Sequence, residues 1–207
     1  MKELIFGIFA EDDANKIFIR NTIPLLVQYF QFEDKIELKE NIDFSTFIVA
    51  KSSYYVQSEC VNVVAHGMKT YRLNVCFVGL DADDNAHLSL FDEMYKELKN
   101  NSLEGNALIY IPVQAIEYWL WYIKAKKENS TLVDTTIIDS TKKRKEMKKE
   151  VYNHIKPRNA HSTPIVEKLS KNYDIDWLIK HSKSFEHFVN HFNDFFTTLL
   201  TTSDEEE

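Results

Sequence analysis

Three short apolar runs constrain this chain more than any other feature. They are ELIFGIFA at residues 3–10, LNVCFVGL at 73–80 and NALIYIPVQ at 106–114. Each is too short for a core helix and rich in Ile, Val and Phe, which marks a strand buried on both faces. Between them lie stretches with apolar residues at helical spacing. ANKIFIRNTIPLLVQYF follows the first run, with Pro24 inside it as a candidate kink. SSYYVQSECVNVVAHGMKTY precedes the second, opened by a serine cap and weakened by Gly67. NAHLSLFDEMYKELKNN and AIEYWLWYIKAKKEN follow the second and third. Residues 32–50 hold a strand or a hairpin, because IELKENIDF partly alternates. This order predicts an α/β fold with a mainly parallel sheet and helices on both faces.

Each predicted strand runs into acids. The first ends at Glu11-Asp12-Asp13 and the second at Asp81-Ala82-Asp83-Asp84, while Glu117 opens the helix after the third. Strand side chains alternate, so Asp81 and Asp83 are expected on one side. Right-handed crossovers align the carboxyl ends of parallel strands, where open α/β sheets place their ligands. The acids therefore meet at one edge. Two carboxylates about 5 Å apart repel by roughly 3 kcal/mol at an effective dielectric of about 20. A set of three or four needs protons or a cation, and all-oxygen donors select Mg²⁺ or Mn²⁺. The competing explanation is helix capping, to which Asp12 and Asp84 are suited.

The rest of the chain narrows the function classes. The net charge is −7, so any nucleic-acid surface must be local. Cys60 and Cys76 are too few for a disulfide framework or a zinc cluster, and their apolar surroundings mark them as buried free thiols. No run approaches ~20 apolar residues, and the N-terminus reaches acids by residue 11. The expectation is a cytoplasmic protein without membrane association. TKKRKEMKKEVYNHIKPR, residues 141–158, carries eight Lys or Arg against two Glu. Lys142, Lys143, Arg144, Lys145, Lys148, Lys149 and Arg158 are candidates for phosphate-backbone contacts, DNA or RNA, against a plain solvated face. Lys156 is the candidate lysine for charge developing on phosphorus. His187 and His191 stand four apart without an HExxH glutamate and are read as an ordinary helix face. Trp119, Trp121, Phe185, Phe188, Phe192, Phe195 and Phe196 are read as core. The expected organisation is a core at 1–129, a basic and aromatic helical extension at 130–200 that packs on it, and an acidic disordered tail at 201–207.

Glu11 in IFGIFAEDDANKIFI, Asp81-Ala82-Asp83 in CFVGLDADD and Glu117 in IPVQAIEYWLW together resemble the motifs of the Toprim (topoisomerase–primase) domain. They are most similar to small bacterial Toprim-like proteins related to overcoming-lysogenization-defect nucleases and RloB-like defence proteins. The resemblance spans roughly residues 3–122. It implies a Toprim-like α/β core and a nuclease holding Mg²⁺ or Mn²⁺ on Glu11, Asp81 and Asp83. Glu117 is a further acid in that scheme, and Glu11 doubles as general base. The implied setting is bacterial or phage defence, with a partner ATPase as a possible companion because no Walker motif is present. Where that family carries a glycine after its first glutamate, this chain carries Asp12. That departure favours the alternative, a non-catalytic Toprim-like module binding nucleic acid or a partner. A dehalogenase-type phosphatase with Asp81 as nucleophile is a weaker reading, since its DxD belongs on the first strand.

Overall fold

The computed structural model describes residues 1–50, 52–83, 85–128 and 144–204. Four strands form one sheet: β1 (Lys2–Ala10), β2 (Ile36–Glu40), β3 (Val75–Gly79) and β4 (Ala107–Tyr110), in the order β2-β1-β3-β4. Every pairing is parallel, with Phe6 opposite Val75 and Ala10 opposite Gly79 between the central strands. The expected α/β class is therefore found. Residues 32–50 hold a parallel edge strand and a short helix rather than a hairpin.

The helices divide between the faces. α1 (Asp13–Tyr29) packs on one side. α2 (Ile42–Phe47), α3 (Ser53–Tyr71) and α4 (His87–Asn100) pack on the other. α5 (Ile116–Lys127) joins the α1 side, followed by α6 (Arg144–Tyr152), α7 (Asn159–Ser170), α8 (Ile175–His181) and α9 (Lys183–Asp204). The strands' alternation sorts the core. Leu4, Phe6, Ile8 and Ala10 face α1 and the C-terminal helices, while Phe9, Cys76 and Val78 face α2 to α4. Both cysteines are buried and free, and burial pushes their thiols upward.

The extension after residue 129 is built into the main core. Trp119, Phe185, Phe188, Phe192 and Phe196 share one buried cluster with Phe77 and Tyr110. Trp119 Nε1 donates to Ser184 Oγ at 2.9 Å, and Phe18 meets both Trp119 and Phe185. The junction at 129/130 lies outside the described residues. α9 runs to Asp204, past the expected start of the tail at 201, because its apolar stripe continues through Leu199 and Leu200. Among the described residues no helix is long and apolar enough to cross a membrane.

Strand order fixes where a ligand can sit. From β1 the chain crosses to one side, reaching β2, and then returns past β1 to β3 on the other. The carboxyl ends of β1 and β3 therefore flank the switch point of the sheet, the usual crevice of open α/β folds.

Candidate active site at the switch point

The acids lie at that crevice. Glu11 follows β1 directly, and its backbone N–H donates to the Gly79 carbonyl at 3.0 Å. β3 ends at Gly79, earlier than the sequence suggests, so strand alternation does not place Asp81 and Asp83. The loop 80–83 instead zips onto 110–114. Leu80, Ala82 and Asp83 donate N–H groups to the carbonyls of Tyr110, Pro112 and Gln114 at 3.4, 3.0 and 3.0 Å. Asp83 and Gln114 form an isolated antiparallel bridge, and both hold left-handed φ angles of 51° and 61°. Such backbone is uncommon for these residues and persists only where its surroundings fix it. Gly79 permits the close approach: a Cβ there would be driven into the Tyr110 ring. The Tyr110 hydroxyl reaches the Asn15 carbonyl at 3.4 Å and ties β4 to α1.

Asp81 is the centre. Its side chain is fully buried, and every oxygen is used. Oδ1 accepts from Asn15 Nδ2 at 3.2 Å and from the Ile116 N–H at 3.0 Å, the first turn of α5. Oδ2 accepts from Arg144 Nη2 at 2.6 Å. Its own backbone N–H donates to Glu11 Oε2 at 3.1 Å. Arg144 Nη1 lies 2.6 Å from Asp83 Oδ1, and Nη2 lies 3.6 Å from Glu11 Oε1. One guanidinium thus joins the three predicted ligands. Ser53 Oγ donates to Asp83 Oδ2 at 3.2 Å.

Burial governs the electrostatics. Desolvation raises Asp81 well above the usual carboxylate range, reinforced by Glu117 and Glu11 and opposed by Arg144. Desolvation also raises Glu11 and Glu117; Lys148, 3.6 Å from Glu117 Oε1, works against the rise. Burial opposes the Arg144 charge, but Asp81, Asp83, Glu11 and Glu117 outweigh it and hold the guanidinium cationic. Hydrogen-bond capacity remains unused. Among the described residues, Glu117 Oε2, Asn15 Oδ1, Arg144 Nε and Tyr152 Oη are buried and find no hydrogen-bond partner. The Tyr152 hydroxyl lies beside Glu117 but outside hydrogen-bonding geometry. Buried polar groups are nearly always paired, so this concentration sets the acid edge apart from the rest of the described core.

Several expectations find their positions here. Glu11, Asp81, Asp83 and Glu117 converge. Asp12 caps α1, its Oδ1 accepting from the Asn15 N–H at 2.9 Å; Asp84 lies outside the described residues, as do Lys142 and Lys143. Arg144 and Lys148 do not project as a solvated face, because α6 packs on α5 and turns both cations toward the carboxylates. Lys145, Lys149, Lys156 and Arg158 are exposed. Lys156 lies in the turn after α6, where its backbone N–H donates to His154 Nδ1 at 3.0 Å, and among the described residues its side chain is exposed and forms no ion pair with the acids. Among the described residues the cations that meet these acids are Arg144 and Lys148. Asn15 was missed. Its signal was a polar residue one turn before Ile19 on an otherwise apolar face, and it is completely buried. Among the described residues, no group of three or more His, Cys, Asp or Glu stands ready to cage an ion; the Arg144 guanidinium stands between Asp81 and Asp83 instead.

No protein-family profile, curated protein or solved structure matched this chain.

Proposed function

We propose that the protein is a Toprim-type hydrolase of nucleic-acid phosphodiesters that depends on Mg²⁺ or Mn²⁺. The supporting observation is the convergence of Glu11, Asp81 and Asp83 on one guanidinium at the switch point. The donor set suits a hard divalent ion: the acids offer oxygen alone, and Asn15 Oδ1 and Glu117 Oε2 add two unused oxygens nearby. Glu11, Asp81 and Asp83 would hold the ion. Bound, it would neutralise phosphate charge and supply an activated water.

The chain's own residues do the remaining work. Asn15 and the Ile116 N–H fix Asp81 Oδ1 and leave Oδ2 as the atom that meets the cation. Glu11 is oriented by the Asp81 N–H. Arg144 holds the carboxylates together and, released from them, presents a planar donor set suited to a phosphate. Lys145, Lys149 and Arg158 are available for backbone phosphates.

One observation favours a second reading. Arg144 and Lys148 already neutralise much of the cluster, which fits a non-catalytic module that binds nucleic acid or a partner ATPase. Thermal melting with Mn²⁺, run beside cleavage of single-stranded, duplex and transfer-RNA substrates, separates the two. The hydrolase reading expects a rise in Tm with Mn²⁺ and cleavage, both lost in Asp81→Asn, which keeps an acceptor for the Ile116 N–H. Wild-type protein with neither effect in 10 mM-scale Mn²⁺, roughly saturating for a weak carboxylate site, belongs to the second reading.

A further inference from the structure

β2 stands at the edge of the sheet, and among the described residues no strand pairs with its outer flank. The ladder to β1 shows which backbone groups are free there. The Lys2 N–H donates to the Lys35 carbonyl at 2.8 Å, and the Asn41 N–H donates to the Phe6 carbonyl at 2.7 Å. Backbone groups alternate along a strand, so Glu37 and Lys39 also turn theirs toward β1, while Ile36, Leu38 and Glu40 turn theirs outward. The Ile36 N–H is taken by the Phe32 carbonyl at 2.9 Å. The outward set is therefore the Ile36 carbonyl and both groups of Leu38 and Glu40. Such an edge is a template for another strand.

The sequence of β2, IELKE, selects the strand that fits. Turned antiparallel about Leu38, a second β2 complements the first, because a two-fold contact uses the same surface on both copies. The two Leu38 residues exchange a pair of hydrogen bonds, and each Glu40 N–H meets the Ile36 carbonyl of the other copy. This register sets Glu37 opposite Lys39, and Lys39 opposite Glu37, in the non-hydrogen-bonded pairs, where side chains stand closest. Both are within reach: the Glu37 side chain is 45% exposed and that of Lys39 52%. A lysine on an edge strand ordinarily discourages pairing, but in this register it meets an acid. A parallel copy in the same register would set Glu37 beside Glu37 and Lys39 beside Lys39.

The face beside the edge suits the same occupant. A groove of about 520 Å³ between α1 and β2 is lined mainly by Phe6, Ile23, Pro24, Val27 and Leu38. Arg20 and Glu40 also line it, and they satisfy each other with two bonds of 2.6 and 2.7 Å. What is left to cover is mostly apolar. Leu38 packs on the α1 side of the sheet, and directly opposed residues of an antiparallel pair share a face. Leu38 of a second copy therefore arrives on the groove side, next to Leu38 of the first.

We propose that β2 is a self-association edge: it pairs with β2 of a second copy of the chain, antiparallel about Leu38, and joins the two four-stranded sheets into one. Antiparallel pairing points the carboxyl ends of the two sheets in opposite directions, so both sets of acids stay open. The proposal does not depend on the hydrolase reading.

Sedimentation equilibrium of the full chain, with amide exchange alongside, tests it. The wild type should dimerise. The Leu38 and Glu40 amides should gain protection as concentration rises, whereas those of Glu37 and Lys39, bonded to β1, should be protected throughout. Lys39→Glu and Glu37→Lys each set like charges opposite one another twice across the two-fold. Each should weaken the dimer by at least about tenfold and leave the circular dichroism spectrum unchanged. The double variant Glu37→Lys/Lys39→Glu restores opposite charges and should dimerise as the wild type does; Glu3, opposite position 37 in the β1 ladder, keeps a cation beside it. A wild type that stays monomeric at about 1 mM, where even a weak dimer forms, overturns the proposal. So does a dimer that both single variants leave intact, which would place the contact on another face. A dimer that the double variant fails to restore overturns the antiparallel register.

Discussion

Two regions bury ionisable side chains, and they solve the problem in opposite ways. At the switch point Asp81 and Glu117 are packed in with cations: Arg144 on the first, Lys148 on the second. Between α4 and α9, His87, His187 and His191 are packed in with rings. Phe91 meets His187 and His191 edge-on with centroids 4.5 and 5.1 Å away, Tyr95 meets His191, and His87 meets His187 at 6.1 Å. Burial lowers all three histidines, His191 to about 4, with Asp92 alone pulling His187 the other way. Among the described residues five buried side-chain polar atoms lack a partner; four are at the acids and the fifth is His191 Nε2. A histidine can shed its proton and become a packing ring. A buried carboxylate can likewise shed its charge by taking up a proton, but here Arg144 and Lys148 stand beside the acids and oppose that uptake at Asp81 and Glu117. The spacing of His187 and His191, i and i+4, therefore reports helix packing, whereas the acids are held by cations brought in from another helix.

The strongest way to break this contrast is to remove the counter-charge. Arg144→Ala leaves Asp81 buried and unpaired, and the metal-free protein should lose about 3 kcal/mol, the lower end for a broken buried pair because Arg144 is 30% exposed. Added Mn²⁺ should then raise the variant's melting temperature more than the wild type's. Calorimetry with and without Mn²⁺ measures both; an unchanged metal-free stability would mean that the arginine is idle.

The two regions also carry opposite pH signatures. A histidine lowered in the folded state binds its proton more readily when unfolded, so stability falls as pH drops from about 6.5 toward 4. Carboxylates raised in the folded state do the reverse. From about 4 upward the folded form holds more protons, and stability falls as pH rises through their shifted range. His191→Phe should abolish most of the low-pH loss, on the order of 2–3 kcal/mol at pH 4. Denaturant midpoints between pH 4 and 7 supply the curve, and an identical slope in the variant would refute the buried neutral ring.

Smaller still is Glu117→Gln, which removes one buried charge while keeping the shape. Stability at pH 7 should rise by about 1 kcal/mol, less than the roughly 3 kcal/mol of unopposed carboxylate repulsion because Lys148 offsets part of it, with a flatter decline above pH 4. A loss of stability would show that Lys148 already compensates Glu117 fully. The smallest effect belongs to Lys156→Ala. An exposed lysine away from the acids should shift stability by less than about 0.5 kcal/mol and leave the Mn²⁺ response intact; a lost response would return Lys156 to the chemistry.

These contrasts mark what the sequence carried. The strands and their acids were legible because apolar runs and abrupt charge are local signals. The contribution of Arg144 was not. In TKKRKEMKKE it looks like its neighbours, and only the packing of α6 on α5 selects it as the inward cation. Asp83 was placed on the right side for the wrong reason: β3 stops at Gly79, and a left-handed turn zipped to Gln114 does the placing. Loop-to-loop hydrogen bonds between distant residues leave no periodicity to read. Lys156 stands exposed in the turn after α6, and proximity in sequence to a basic helix does not fix which way such a turn leads.

The double duty of Asp81 makes the edge of the sheet a mechanical joint. Oδ2 takes the cation, while Oδ1 carries the first amide of α5, whose own cap residue, Ala115, offers no side-chain acceptor. Three residues into that helix, Trp119 shares the Ser184 hydroxyl with the Val113 N–H. Any tug on the carboxylate is therefore delivered along a load path to the root of α9, the longest helix described. What occupies the crevice would be felt as tension at the far layer of the protein, and slowed or hastened amide exchange at Ile116 would be its first sign.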